Sequence, residues 1–226
     1  MDAHKTVGVL GGMGPAATVE FFRRLVAATP ATIDRDHLHI LIDNDPGIPD
    51  RITALLHGGV SPVPAMVRMA QRLEAAGADV LAMPCNTAHA YIGALRDSVN
   101  VLFLDMIEET VLRLREHTVG LLATRATIQT GIYHRACSAR GIELVTPEDT
   151  AQETVVRAVE AIKASRSLPE VEAAIIGVIT DLQARGAEAI VAGCTELSLL
   201  DGTKMPVRWF DALDCLVEAT IHEALH

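Results

Sequence analysis

Short apolar runs alternate along this chain with stretches of helical spacing. The first run, Thr6–Leu10, stops at Gly11 and Gly12. Pro15 then suits the first turn of a helix continuing to Ala28, because proline has no N–H to lose there and its φ is already helical. His37–Ile42 reads as a second strand. Pro62–Ala76 carries helical spacing and halts at Gly77, the residue type that most readily turns left-handed after a helix. Asp79–Met83 is a third strand, and "TAHAYIGALRDS" after it reads as a helix. Leu102–Leu104 is a fourth strand, with a further helix from Met106. Runs apolar at every position predict strands buried on both faces. Separated by helices, such strands form parallel sheets covered on both sides, an α/β fold.

The pattern then recurs. "TVGVLGG" from Thr6 returns as "TVGLLAT" from Thr118, 112 positions on. "LEAAGADVLAMPCNT" from Leu73 returns as "LQARGAEAIVAGCTE" from Leu182, 109 positions on. "VLFLDMIEETV" from Val101 has a weaker echo in "VRWFDALDCLV" from Val207, 106 positions on. Three blocks in one order, at nearly constant offset, predict two homologous α/β halves, 1–116 and 117–226. We expect them to be related by pseudo-twofold symmetry, with the active site in the cleft between them. A C-terminal segment can pack across onto the first half.

Composition narrows the partners. The 226 residues are 50% hydrophobic, enough for a sizeable core. There are 19 basic and 29 acidic residues, a net charge of −10. That balance argues against nucleic acid or an anionic membrane as the main partner, while leaving room for a small anion held by a few local cations. The start lacks a basic segment followed by a long apolar one, and no apolar run approaches membrane-spanning length. The expectation is a cytoplasmic protein. Its four cysteines, at 85, 137, 194 and 215, lack C-x-x-C spacing, so neither a zinc site nor a disulfide framework is expected.

Cys85 and Cys194 occupy matching positions, each directly after the third strand of its half. Ligands of parallel α/β sheets bind beyond the carboxyl ends of the strands. A helix starting behind such a thiol would lower its pKa. One thiolate can then remove a proton from a tetrahedral carbon while a thiol on the opposite face delivers one, inverting the centre. Asn86, Thr87 and Thr195 offer donors for a carboxylate or a developing enolate. The competing reading is two buried core cysteines, which are common. Cys137 and Cys215 sit on helix-like segments and read as core.

Together, "VGVLGGMGPAAT", "NDPGIPDR", "MPCNTAH" and "GCTE" resemble the aspartate/glutamate racemase family, and most of all its cofactor-independent aspartate racemases. The resemblance runs over nearly the whole chain. It implies a two-domain α/β fold, frequently a homodimer, and racemisation of an acidic amino acid, aspartate first and glutamate or another amino acid as the alternative, by a cysteine pair, here Cys85 and Cys194, without pyridoxal phosphate. It also implies Arg51 as the substrate arginine and, on a weaker motif, Lys163 in "AIKASRSL" for the same carboxylate. Arginine is the better bidentate partner. Backbone N–H groups near Gly12 and Met13 are expected to meet the other carboxylate, and Thr124, opposite Gly12 in the repeat, to line the pocket. One departure is Asp45, where relatives often carry an amide. It either disfavours a dicarboxylate beside Arg51 or caps the turn. Proteins of similar architecture also include hydantoin racemases, arylmalonate decarboxylases and maleate isomerases.

Other readings stay open. "GMGPAA" fits G-x-G-x-x-A after a strand, with Asp43 placed to follow, which suggests dinucleotide binding. A non-catalytic binding protein would leave the paired thiols unexplained. His89 lies four residues after Cys85 and either tunes the thiolate or packs. Glu196, two residues after Cys194, either orients that thiol or complements a helix start.

Overall fold

The computed structural model describes residues 4–164 and 168–226. It contains two parallel four-stranded sheets of the same topology. In the first, β1 (Val7–Gly11), β2 (Ile40–Asn44), β3 (Val80–Ala82) and β4 (Leu102–Phe103) lie in the order β2-β1-β3-β4. In the second, β5 (Thr118–Ala123), β6 (Glu143–Val145), β7 (Ala189–Gly193) and β8 (Arg208–Asp211) lie in the order β6-β5-β7-β8. The helices are α1 (Pro15–Ala28), α2 (Arg51–His57), α3 (Val63–Ala75), α4 (Ile92–Arg96), α5 (Met106–Arg113), α6 (Arg125–Gln129), α7 (Ile132–Ser138), α8 (Asp149–Lys163), α9 (Leu168–Ala184) and α10 (Ala212–Leu225). None of the described helices is long and apolar enough to cross a membrane.

The sequence repeat is also a repeat of strand register. Val7 pairs with Val80, and Val80 with Leu102. Their counterparts at the three sequence offsets pair in the same way, Val119 with Ala189 and Ala189 with Arg208. The central strands β1, β3, β5 and β7 are buried throughout, as their unbroken apolar runs require. The edge strands β2 and β8 are partly exposed.

Two compact units divide the chain. Residues up to Glu109 with Leu213–His226 form one, and Thr110–Ala212 the other. In the first unit, α10 is held to the N-terminal region. Lys5 N–H donates to Ala224 O at 3.0 Å, the Lys5 ammonium pairs with Glu223, and Arg24 donates to Asp214 at 2.6 Å. Its core gathers Leu10, Met66, Leu73, Leu81, Met83 and Phe103. The core of the second unit gathers Leu122, Val155, Val159, Ile175, Ile179 and Ile190.

Two local expectations are revised, and one helix is added to those read from sequence. The segment after Cys85 is a 3-10 turn, Thr87–Tyr91, followed by the short α4, not one helix. His89 N–H bonds Asn86 O, three residues back, while Cys85 O is occupied by the His89 ring, so no α-helical turn forms there. The second strand begins at Ile40, where pairing with β1 starts, and not at His37. Finally, α2 follows the "NDPGIPDR" turn. Asp50 starts it by accepting from Thr53 N–H at 2.7 Å, and Gly58, at φ 64°, ends it.

Candidate active site

In the first unit, Met83 and Pro84 carry the chain past β3 to Cys85, which is buried. Asn86 and Thr87 beside it are buried as well. The His89 ring uses both nitrogens on backbone. Nδ1 donates to Cys85 O at 2.8 Å, and Nε2 accepts from Met106 N–H at 3.0 Å. That pair of bonds requires the neutral tautomer with hydrogen on Nδ1. Burial pushes the His89 pKa down, against the pull of the nearby Asp105 carboxylate. His89 therefore ties the cysteine's backbone to the start of α5, and its ring nitrogens are occupied away from the sulfur.

The turn after β1 approaches the same apolar cluster. Gly12 has φ 94°, and a Cβ there would lie 2.3 Å from Asp45 O, so only glycine fits. The Gly12 N–H donates to Thr18 Oγ1 at 3.0 Å and so already has an internal acceptor. Met13, Ile48 and Cys85 belong to one buried cluster, which brings the "NDPGIPDR" turn to the end of β3. Arg51 is the first residue of α2. Its Nη1 donates to Ile48 O and Pro49 O, each at 3.1 Å, and this braces the turn. Asp45 accepts from Gly47 N–H at 2.8 Å, the turn-capping arrangement, and no ion pair joins it to Arg51 among the described residues. Asp43 is paired with Arg72 at 2.6 Å.

In the second unit, Cys194 follows β7 directly and is buried. Its Sγ–H donates to Glu196 Oε2 at 3.0 Å, and Glu196 Oε1 lies 3.5 Å from Lys163 Nζ at the end of α8. Burial, then the Glu196 charge and its hydrogen bond, hold the Cys194 pKa well above the usual thiol value, with Lys163 pulling the other way. This corrects the expectation of a thiol acidified by a helix behind it. Only a three-residue 3-10 turn, Leu197–Leu199, follows, and desolvation outweighs any dipole it offers. Part of the motif around Lys163, residues 165–167, lies outside the described residues. Thr195 is buried beside Cys194. Thr124 follows β5 and caps α6, accepting from Thr127 N–H at 3.1 Å. Ala123 pairs in register with Gly193, so Thr124 and Cys194 emerge from adjacent strands.

The repeat extends to buried polar positions, although the bonds they make differ between the units. At the offsets above, His89 corresponds to Ser198 and Asp105 to Asp211, and Ser198 Oγ donates to Asp211 at 2.6 Å. Each unit thus has a polar group just past its cysteine and an aspartate at its fourth strand's carboxyl end, Asp211 closing β8 and Asp105 two residues beyond β4. Gln152 on α8, which donates to Ala123 O at 2.8 Å, escaped the sequence reading. Its only signal was a glutamine on the buried face of an amphipathic helix. Cys137 and Cys215 are buried in α7 and α10, and burial pushes the Cys137 thiol up to about 11. A groove of about 1120 Å³ between α8 and α9, lined by residues including Asp149, Thr154, Asp181 and Arg185, contains none of the site residues predicted from sequence.

The family model for Asp/Glu/hydantoin racemases matches residues 10–220. Among solved structures, the chain is similar to the Picrophilus torridus aspartate racemase, with 33% identity, a TM-score of 0.87, and coverage of 97% of this chain and 94% of that one. It is also similar to the broad specificity amino-acid racemase RacX of Bacillus subtilis, at 28% identity over 95% of this chain and 96% of that protein. A glutamate racemase of Desulforudis audaxviator is 30% identical over 130 residues, 55% of this chain and 46% of its own length.

Proposed function

Because the chain belongs to the Asp/Glu/hydantoin racemase family, we propose that it racemises an amino acid, aspartate first among candidates, with Cys85 and Cys194 as its two acid/base groups. The observation that carries this is the matched placement of the two cysteines. Each stands at the carboxyl end of a central buried strand, in sheets of identical order and register. A racemase must deprotonate both enantiomers with comparable ease, and two thiols approaching one α-carbon from opposite faces do that.

Cys194, hydrogen-bonded to Glu196, holds its proton and is the donor. The Cys85 thiolate takes the α-proton, so a C–H bond breaks and an S–H bond forms. The resulting carbanion is delocalised into the α-carboxylate. Cys194 then gives its proton to the opposite face, leaving Cys194 as the thiolate. In the reverse direction that thiolate is the base. Whenever Cys194 must be regenerated without substrate, Glu196 lies at hydrogen-bonding distance to take or return its proton.

Support for aspartate comes from the likeness to the Picrophilus torridus aspartate racemase over almost the whole of both chains. A broader substrate range is the second reading, favoured by the RacX likeness and by an Arg51 already bonded to its own turn. Incubating the protein with a panel of L-amino acids, followed by chiral separation, tests both. Rapid D-aspartate formation with little turnover of neutral amino acids supports the first reading, and comparable turnover across the panel the second. If no amino acid is racemised while carbon dioxide is released from a substituted malonate, the reaction is a decarboxylation instead.

A further inference from the structure

Gln152 is an amide in apolar surroundings. It lies near the start of α8 on the face that carries Val155 and Val159, and only 4% of its surface is exposed. Its Nε2 donates to Ala123 O at 2.8 Å. A carbonyl only accepts, so this contact identifies which end of the amide is nitrogen. The other end, Oε1, is buried and has no hydrogen-bond partner among the described residues. Folded proteins leave few such atoms, and each calls for a donor from somewhere.

The place narrows the donor. Ala123 is the last residue of β5 and pairs with Gly193, the residue before Cys194. Neighbouring strands lie about 4.8 Å apart. Val155, one turn along α8 from Gln152, shares the apolar cluster of Cys194 and Leu197. Gln152 therefore stands at the strand ends from which Thr124 and Cys194 emerge, the edge where parallel α/β sheets bind ligands.

We propose that Gln152 Oε1 accepts a hydrogen bond from the α-ammonium group of the substrate, an inference that rests on the racemase reading. A zwitterionic acidic amino acid offers acceptors at both carboxylates and donors only at its ammonium. A carboxylate placed against Oε1 would be repelled, whereas an ammonium completes it with a charge-assisted bond. Glu196, the carboxylate two residues after Cys194, is already engaged by that thiol and by Lys163. Holding the ammonium fixes one substituent of the α-carbon and so helps orient the C–H bond that must break.

The test separates ammonium recognition from a structural role. Succinate carries the two carboxylates of aspartate without the ammonium. With Gln152→Met, which keeps length and removes the amide, the KM for aspartate should rise about tenfold or more, the range for a bond to a charged group. Succinate inhibition should change less than about twofold, because its contacts do not include Oε1. Gln152→Glu keeps an acceptor and should retain the preference for aspartate over succinate, which covers the case in which the methionine variant does not fold. Equal weakening of both ligands, or no effect on either, overturns the proposal and makes Gln152 a support for the end of β5. If the wild-type protein prefers glutamate, the matched pair is glutamate and glutarate. If it racemises no amino acid, the functional reading itself fails and this inference falls with it.

Discussion

The charge around Cys194 separates the two cysteines more than their motifs do. "PCNT" and "GCTE" read alike in sequence, yet two residues after the cysteine the first half has Thr87 and the second Glu196. That carboxylate, added to burial, keeps Cys194 protonated. Removing the charge with Glu196→Gln should lower the Cys194 pKa, since the anion is more costly beside another anion. Alkylation of Cys194 by iodoacetamide, followed by peptide mass spectrometry, should then begin at lower pH and run faster at about pH 8 than in the wild type. Lys163→Met should move the profile the other way. An unchanged profile in Glu196→Gln would contradict the ion-pair chain. The positions of Cys85 and Cys194 were legible because strand ends and a repeat mark them. The raised pKa was not, because desolvation depends on neighbours far apart in sequence.

At the level of elements, the alternation of apolar runs and helices was legible almost throughout, and α1 begins and ends where Pro15 and Ala28 predict. Misreadings cluster where side chains take over backbone hydrogen bonds. His89 diverts Cys85 O and turns the expected helix into a 3-10 turn. Asp50 caps α2, a two-turn helix too short to show an apolar periodicity in the sequence. The turn after β1 shows how narrow the tolerance is near the site. Gly12→Ala would place a methyl 2.3 Å from Asp45 O at a positive φ. Such strain should destabilise the protein by roughly 2–4 kcal/mol. A fall in the urea midpoint with unchanged slope would report it, and a midpoint equal to the wild type would show that the turn can relax.

For the whole molecule, the shared sheet order and the shared register make the duplication a structural fact as well as a sequence pattern. A duplicated scaffold offers near-equivalent groups for two mirror-image substrates, which is what racemisation asks of a protein. The direct measurement is the fate of the α-hydrogen in deuterated water, starting from one pure enantiomer of the best substrate. A two-thiol mechanism predicts that the product enantiomer carries solvent deuterium from the first turnovers, that recovered substrate remains protiated, and that Cys85→Ser and Cys194→Ser each abolish racemisation. Equal early labelling of substrate and product, or racemisation at the wild-type rate by either serine variant, would contradict it.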